Sequence, residues 1–166
     1  FHTSHPFEQE RDGYEREVLL SGGPRSCAEL AGVHSCERVN DVASVAMLRA
    51  KSPDVVLVFG AGRLTSEVFC SVGIACLNLH GGNPEEYRGL DSHLWAIYHR
   101  DFTNLVTTLH RVDEQLDTGD IVFRSPLTIP SGTELYELRS INTRVCVDLS
   151  LQALETLCRE SSLPAQ

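Results

Sequence analysis

Apolar positions follow a regular pattern from about residue 40 onward. Asn40 or Asp41 can cap a helix whose apolar side chains recur at helical spacing. The predicted elements are a helix that ends before Pro53, a strand over 54–59, a helix over about 66–72 and a strand over 74–79. The first strand is apolar throughout, which is typical of a parallel strand covered on both faces. Helix, strand, helix and strand in this order predict an α/β fold with right-handed crossovers.

The chain beyond His80 has a different pattern, because glycine, asparagine and proline interrupt it. The predicted elements here are a loop over 80–89, a helix over about 90–99, antiparallel strands over 105–112 and 120–124, and a long final helix opened by a capping box from Ser131 to Glu134. The apolar stripe of the final helix is compatible with packing on its own sheet or on a second copy in a homodimer. Before residue 40 the pattern is weak, and Glu17–Leu20 predicts a short strand.

Composition and charge limit the classes of protein to consider. The 166 residues carry 14 Lys and Arg against 23 Asp and Glu, a formal charge of −9. A single domain over residues 1–166 is expected, because domains typically hold roughly 100–200 residues. The negative charge disfavours a nucleic-acid-binding face, which needs clustered cations. No apolar run approaches the roughly 20 residues of a membrane helix, and the polar, acidic start is unlike a signal peptide. A cytoplasmic protein without membrane or nucleic-acid partners is therefore expected.

The cysteines give no sign of a metal centre. They are Cys27, Cys36, Cys70, Cys76, Cys146 and Cys158, with no C-x-x-C pair among them. Zinc sites need closely spaced ligands, and a disulfide framework is unexpected in a chain with its own core. Reduced thiols, most of them in the core, and no bound metal are therefore expected.

Asn78 and His80 are the first candidates for chemistry. They lie two residues apart at the end of an apolar strand, so their side chains point to the same side. Ligands of open α/β sheets bind outside the carboxyl ends of the strands, where an amide and an imidazole can stabilise an oxyanion. The competing interpretation is that Asn78 caps a turn and His80 is a hydrogen-bonded loop residue.

Asp117 and His110 are the next candidates. Asp117 lies in Leu-Asp-Thr-Gly-Asp between two predicted strands, where it can simply form the turn. If the turn folds over the end of the Asn78 strand, Asp117 can pair with His80 and favour its protonated form. His110 is on the preceding strand, where a buried, hydrogen-bonded histidine is the competing interpretation to a supporting role. An aspartic-protease site is disfavoured, because it needs two facing aspartates and the chain has one D-T-G.

Four segments taken together resemble the 10-formyltetrahydrofolate-dependent formyltransferases. They are Asn78-Leu79-His80, Glu86-Tyr87-Arg88-Gly89, Thr107–His110 and Leu116–Ile121, in this order and spacing. The family includes glycinamide ribonucleotide, methionyl-tRNA and nucleotide-sugar N-formyltransferases, and the resemblance covers roughly residues 40–135. It implies the Rossmann-like formyltransferase fold, with a mixed, mainly parallel sheet flanked by helices.

The resemblance also implies roles for particular residues. The catalytic asparagine, histidine and aspartate of the family fall on Asn78, His80 and Asp117. Folate contacts fall on Gly60, Ala61, Gly62, Arg63 and Leu64 and, in the segment before the aspartate, on Asp113 and Leu116. Substrate contacts fall on Gly81, Tyr87 and Arg88, with His110 supporting the catalytic residues. In the implied reaction an acceptor amine attacks the formyl carbon, Asn78 and protonated His80 donate to the formyl oxygen, and Asp117 orients His80.

The chain departs from the family pattern in two places. Many relatives have proline and serine after the catalytic histidine, where this chain has Gly81 and Gly82. The strand and glycine-rich turn with which the family normally opens are not evident in residues 1–38, so the N-terminal part of the fold is expected to be altered or incomplete. Both departures weaken any transfer of the acceptor from better-known members.

The expected function is formyl transfer from 10-formyltetrahydrofolate to a primary amine of a small acceptor, such as an amino sugar nucleotide or another biosynthetic amine. The charge of −9 disfavours the tRNA-modifying branch. A formyl-folate hydrolase that uses water as acceptor and a non-catalytic ligand-binding homologue are the alternatives.

Overall fold

The computed structural model of the protein describes residues 5–23 and 26–164. The helices are α1 (Pro6–Leu20), α2 (Val42–Lys51), α3 (Ser66–Phe69), α4 (Ser92–Tyr98) and α5 (Leu138–Glu160). The strands are β1 (Val55–Phe59), β2 (Ala75–His80), β3 (Val106–Arg111) and β4 (Ile121–Pro126). Short 3₁₀ turns lie at Cys27–Glu29, Phe102–Asn104 and Leu135–Glu137.

The chain groups into two compact units. One unit takes in the described residues up to Ser35 together with Thr128–Arg144, and the other takes in Cys36–Leu127 together with the described residues from Val145 onward. The second unit contains the whole sheet and every residue of the candidate site. The single domain over residues 1–166 stays a prediction.

The first unit is built around α1, and here the predicted strand over Glu17–Leu20 is wrong. Pro6 opens the helix, and His5 forms a capping box with Glu8, which fixes the helical start. Three apolar residues in a row do not distinguish a strand from a helix end, whereas these capping contacts do. Arg139 binds Asp12 and Glu15 of α1, so this unit rests on polar contacts as well as on packing.

The second unit contains a four-stranded sheet in the order β1-β2-β3-β4. β1 and β2 are parallel, whereas β2–β3 and β3–β4 are antiparallel. The predicted α/β class and mixed sheet are confirmed, but parallel pairing is limited to β1–β2 among the described strands. The nine residues between β3 and β4 are too few for the crossover that parallel neighbours need, so these two strands pair antiparallel.

Opposite faces of the sheet carry two apolar clusters. One contains Leu77, Leu109 and Val122 with Leu149 and Ala153 of α5. The other consists of Val45, Leu64, Val68 and Cys76, with Val56, Val58 and Val112 packed against it. Successive residues of a strand point to opposite faces, so Leu77 lies in the first cluster and Cys76 in the second. The candidate site continues the line of side chains that begins at Cys76.

Some local predictions are confirmed and others need correction. Asp41 caps α2 through a 2.6 Å hydrogen bond from the Ser44 amide. The capping box before α5 joins Glu134 and Glu137, not Ser131 and Glu134. β1 was expected to be covered on both faces, but Leu57 and Phe59 are 40% and 55% exposed, so one of its faces is only partly covered.

Membrane and thiol predictions can also be compared with the fold. Among residues 5–23 and 26–164, no helix is both long and apolar enough to cross a membrane. Cys76 and Cys146 are buried and the other four cysteines are exposed, so the expectation that most lie in the core is wrong. Burial raises the pKa of Cys76 to about 11 and that of Cys146 to about 12, which keeps both as thiols. Cytoplasmic location and a homodimer stay predictions.

Candidate active site

Strand register brings Asn78 and His110 together. In the antiparallel pair of β2 and β3, Asn78 lies directly opposite His110, and His80 lies opposite Thr108. Directly opposed residues of neighbouring strands have side chains on the same face and within contact distance. The Asn78 amide nitrogen accordingly lies 3.1 Å from His110 Nε2. The pair is thus a consequence of sheet geometry, although 32 positions separate the two residues in the chain.

A tight loop carries Asp117 to the same face. Asp117 itself has a φ of 54°, in the left-handed region that aspartate tolerates better than most residues. Two residues later, a Cβ added to Gly119 would lie 1.9 Å from the Arg111 carbonyl oxygen, so only glycine fits this approach. The Asp113 carboxylate accepts hydrogen bonds from the Thr118 hydroxyl at 2.7 and 2.9 Å and closes the loop on itself.

The two carboxylate oxygens of Asp117 have different neighbours. Oδ1 lies 3.2 Å from the Asn78 amide nitrogen and 3.4 Å from His110 Nε2. Oδ2 accepts a 2.9 Å hydrogen bond from the Gly89 amide and lies 3.5 Å from His80 Nδ1. Asp117 and both histidines are buried, and Asn78 is half-buried. The carboxylate therefore connects the predicted asparagine and histidine in one buried cluster.

Backbone carbonyls assign the protons of the two imidazoles. His80 Nε2 lies 2.7 Å from the Tyr87 carbonyl oxygen, and His110 Nδ1 lies 2.8 Å from the Arg111 carbonyl oxygen. Because a carbonyl can only accept, each of these nitrogens carries a hydrogen. The remaining nitrogen of a neutral His110 then accepts from the Asn78 amide, whereas a protonated His110 would donate to Asp117.

Burial and charge act in opposite directions on His80. Desolvation lowers the pKa of His80 below its usual value, and the opposing effects of Asp117 and the Tyr87 carbonyl do not overcome it. Burial by itself would raise the pKa of Asp117, but the contact with His110 and the hydrogen bond from the Gly89 amide bring this pKa below its usual value. The arrangement favours a neutral imidazole beside a carboxylate, in contrast to the protonated His80 expected from the sequence.

A pocket opens beside this cluster and is walled by the predicted folate segments. Its lining residues are Val58, Ala61, Gly62, Arg63, Leu64, Asn78, His110, Val112, Asp113, Gln115, Leu116 and Asp117. Arg63 Nε donates to the Glu114 carbonyl oxygen at 2.8 Å, so this side chain ties the two walls together. Neither Gly60 nor His80 lines this pocket. His80 meets the pocket-lining residues through Asp117.

The predicted substrate contacts lie on the loop after β2. Tyr87 directs its hydroxyl to Asp101 at 3.1 Å, and Arg88 donates from Nε to the Pro84 carbonyl oxygen at 2.9 Å. Gly81 is half-buried at the start of this loop. The structure therefore holds the Tyr87 and Arg88 side chains within their own region, and contacts of these residues with a substrate stay a prediction.

Sequence reasoning missed several groups that shape the site. The Gly89 amide binds Asp117, and the buried Thr108 hydroxyl donates to the Gly82 carbonyl oxygen at 2.8 Å. A Cβ on Gly82 would lie 2.6 Å from that of Ser92. The Gly81-Gly82 pair was a visible signal of a close approach, but nothing in the sequence identified its partner.

Side chains that could bind a metal ion were expected to be absent from the site. Across 5–23 and 26–164, no group of three or more His, Cys, Asp or Glu side chains is arranged to hold a metal ion. The cluster around Asp117 itself consists of a carboxylate, an amide and two imidazoles.

Curated methionyl-tRNA formyltransferases match most of this chain. A methionyl-tRNA formyltransferase from Methylacidiphilum infernorum (isolate V4) is 29% identical over 147 residues, which are 87% of this chain and 46% of that protein. One from Syntrophus aciditrophicus (strain SB) is 30% identical over 120 residues, which are 72% of this chain and 38% of that protein. The chain thus spans less than half the length of these relatives.

Solved structures share the fold. The formyltransferase PseJ from Anoxybacillus kamchatkensis, crystallised with UDP-4,6-dideoxy-4-formamido-L-AltNAc and tetrahydrofolate, superposes with a TM-score of 0.64 at 18% identity, over 93% of this chain and 75% of that one. Phosphoribosylglycinamide formyltransferase from Bacillus halodurans gives 0.61 at 24% identity, over 73% of this chain and 62% of that one. Structural likeness at this identity concerns the fold.

Family membership rests on a direct match along the sequence. The family model described as formyl transferase matches residues 13–145. That range includes β1 to β4, both walls of the pocket and the cluster around Asp117. The chain belongs to the formyl transferase family.

Proposed function

We propose that this protein transfers a formyl group from 10-formyltetrahydrofolate to a primary amine of a small acceptor, such as an amino sugar nucleotide or another biosynthetic amine. The observation that carries the proposal is the convergence of Asn78, His110 and Asp117 on one pocket. The pterin would lie between the segment Gly60–Leu64 and the loop with Asp113 and Leu116. Arg63 would contribute by holding these walls at a fixed separation.

Asn78 is the proposed donor to the formyl oxygen. Its amide nitrogen has two hydrogens, and its neighbours are His110 Nε2 at 3.1 Å and Asp117 Oδ1 at 3.2 Å. These two contacts orient the amide before reaction. A formyl oxygen that enters the pocket would then accept one of the two hydrogens. Donors of this kind act mainly on the transition state, where the oxygen gains negative charge, and typically contribute about 10²–10³ in rate.

Asp117 and His80 are the proposed proton-handling pair. The acceptor nitrogen forms a bond to the formyl carbon, the bond from that carbon to the folate N10 breaks, and one proton must pass from the acceptor nitrogen to N10. Asp117 lines the pocket and can receive this proton, and His80 Nδ1, 3.5 Å from its second oxygen, can share it. His80 therefore acts through Asp117 rather than as a direct donor to the formyl oxygen.

A small acceptor is favoured over tRNA by charge. The formal charge of −9 opposes association with a polyanion. The sequence relatives that modify methionyl-tRNA do not assign this acceptor, because the chain spans less than half of their length. The identity of the acceptor must therefore be determined by a direct assay.

The test is formyl transfer by purified protein supplied with 10-formyltetrahydrofolate and separate acceptors: an amino sugar nucleotide, glycinamide ribonucleotide and methionyl-tRNA. Mass spectrometry of the acceptor and release of tetrahydrofolate are the two measurements. Asp117→Asn is expected to reduce transfer by about 10²–10⁴, whereas Asp120→Asn, an exposed aspartate three residues away, is the matched control. Release of tetrahydrofolate without an amine would identify a hydrolase. Absence of both transfer and folate binding would refute the proposal.

A further inference from the structure

The loop after β2 holds one carbonyl against His80. His80 is 5% exposed, and its Nε2–H donates to the Tyr87 carbonyl oxygen at 2.7 Å. This leaves Nδ1 as the nitrogen that faces Asp117, at 3.5 Å. Which of the two nitrogens carries the hydrogen in the neutral ring therefore depends on where the Tyr87 carbonyl lies.

Tyr87 is fixed through both its backbone and its side chain. Its amide donates to the Asn83 carbonyl oxygen at 2.7 Å, which closes one turn of the loop. Its hydroxyl donates to Asp101 Oδ2 at 3.1 Å and lies 3.3 Å from His99 Nδ1. The backbone carbonyl is thus held between an anchored turn and an anchored aromatic side chain.

Asp101 connects the two ends of this arrangement. The same Oδ2 accepts from Asn104 Nδ2 at 2.8 Å, and Asn104 Oδ1 accepts from Asn83 Nδ2 at 2.7 Å. Asn83, 7% exposed, is the residue whose backbone carbonyl binds the Tyr87 amide. Hydrogen bonds therefore form a closed ring through Tyr87, Asp101, Asn104 and Asn83. Each member makes two bonds of this ring, so displacing any one of them disrupts two hydrogen bonds.

We infer that Asp101 and Tyr87 are positioning residues for His80: they fix the Tyr87 carbonyl, hold the hydrogen of the neutral ring on Nε2 and leave Nδ1 available beside Asp117. The inference rests on the proposed formyl transfer only for its effect on rate. Its effect on His80 itself is independent of any substrate. A histidine that must exchange a proton with Asp117 benefits from this arrangement, because the second tautomer would direct an N–H at Asp117 and leave Nε2 without a hydrogen for the carbonyl.

The test combines nuclear magnetic resonance with kinetics. Long-range ¹H–¹⁵N spectra of the full chain report which nitrogen of His80 is protonated, and a His80→Asn sample assigns the signals. The wild-type protein is expected to show the Nε2–H form. Tyr87→Phe and Asp101→Ala are expected to give a mixture of both tautomers and to lower kcat by about three- to tenfold, the usual effect of one hydrogen bond. KM for the folate is expected to stay unchanged, because neither residue lines the folate pocket.

Two matched variants separate positioning from general damage. Asp101→Asn keeps an oxygen that can accept from both Tyr87 and Asn104, so it is expected to retain the wild-type tautomer and rate. Tyr98→Phe makes the same chemical change as Tyr87→Phe at a side chain that is 76% exposed, and it is expected to have no effect. If Asp101→Ala does not fold, Tyr87→Phe and Asp101→Asn still test whether the contact between Tyr87 and Asp101 positions His80.

Failure of this inference differs from failure of the proposed function. An unchanged His80 tautomer and an unchanged kcat in Tyr87→Phe and Asp101→Ala would overturn the positioning role even in an active enzyme. A wild-type protein that transfers no formyl group would overturn the proposed function, while the His80 spectra would still support or contradict the positioning role.

Discussion

The two faces of β2 carry different kinds of residue for different purposes. On one face, Leu77 is completely buried in a cluster with Leu109 and α5. On the other, the line of side chains begins with Cys76 in the second apolar cluster and continues with Asn78 and His80. One strand of six residues therefore stabilises the fold with one face and forms the candidate site with the other.

The difference shows what a buried polar face requires. An apolar face is stabilised by removal from water and by close packing, with no directional demand. A polar face is tolerated only where its groups have partners. Within residues 5–23 and 26–164, every buried side-chain nitrogen and oxygen has a hydrogen-bond partner. The polar face consequently depends on directional partners such as Asp117, which a loop carries to it, whereas the apolar face needs only the packing of neighbouring strands, α5 and Leu163.

The first prediction concerns the apolar face and has the largest expected effect on folding. Leu77→Ala removes a side chain that is 0% exposed, and such changes typically cost about 2–5 kcal/mol because a cavity remains. Urea unfolding monitored by circular dichroism measures the loss. Leu57→Ala, at a position that is 40% exposed, is the control and should cost clearly less. Equal losses for the two variants would contradict the burial described here.

The second prediction concerns the polar face of the same strand. Asn78→Ala is expected to lower the rate of formyl transfer by about 10²–10³, because a donor to the developing oxyanion is lost. Its free energy of unfolding should fall less than that of Leu77→Ala, because Asn78 borders a pocket that water can enter. Single-turnover kinetics with saturating folate give the rate. A variant that keeps its rate but unfolds easily would reverse the roles of the two faces.

The third prediction tests how tightly the Asp117 loop approaches the sheet. Gly119→Ala places a Cβ 1.9 Å from the Arg111 carbonyl oxygen, so the loop or the strand must move. Overpacking of this kind typically costs about 1–3 kcal/mol, and a displaced Asp117 should also reduce transfer. Gly32→Ala, which meets no atom within 4 Å, is the control. Thermal unfolding of the two variants, compared with wild type, measures the cost.

Local pattern was sufficient to predict the strand and its two candidate residues. The period of two along β2 placed Asn78 and His80 on one face, and Asp41 was identifiable as a helix cap from its position before an apolar run. The predicted strand near Leu20 was wrong because the decisive cap, His5, is a residue that is rarely expected there. Elements whose ends are marked by common residues were predictable, and this one was not.

Contacts that depend on strand register could not be predicted from the sequence. That Asn78 meets His110 follows from the pairing of β2 with β3, which no local pattern specifies. Asp113 lines the pocket, and its folate contact stays a prediction, but the hydrogen bond that its carboxylate accepts from Thr118 was not predictable. The Tyr87 carbonyl on His80 is a backbone contact, and side-chain identity carries no information about it. The residue types of the site were predictable, but not the partners that give each residue its protonation state.

The fourth prediction uses pH to separate the two faces and has the smallest expected effect. Burial lowers the pKa of His80 in the folded chain, so just below pH 6.5 the unfolded chain binds a proton that the folded chain does not. Stability should therefore fall as pH decreases from about 7.5 to 5.5, by up to about 1.4 kcal/mol per unit of pH for one such group. Asp117, whose pKa is lowered below its ordinary value, stays ionised across this range and adds no pH dependence to the stability.

Urea unfolding across this pH range measures how steeply the free energy of unfolding depends on pH. This slope should be smaller for His80→Asn than for wild type, whereas His34→Asn, at an exposed position, should keep the wild-type slope. The Leu77→Ala variant should lose the same free energy at every pH, since no proton is bound on that face. Equal slopes for wild type and His80→Asn would mean that the burial of His80 does not oppose its charge, and the neutral imidazole assigned to the site would be wrong.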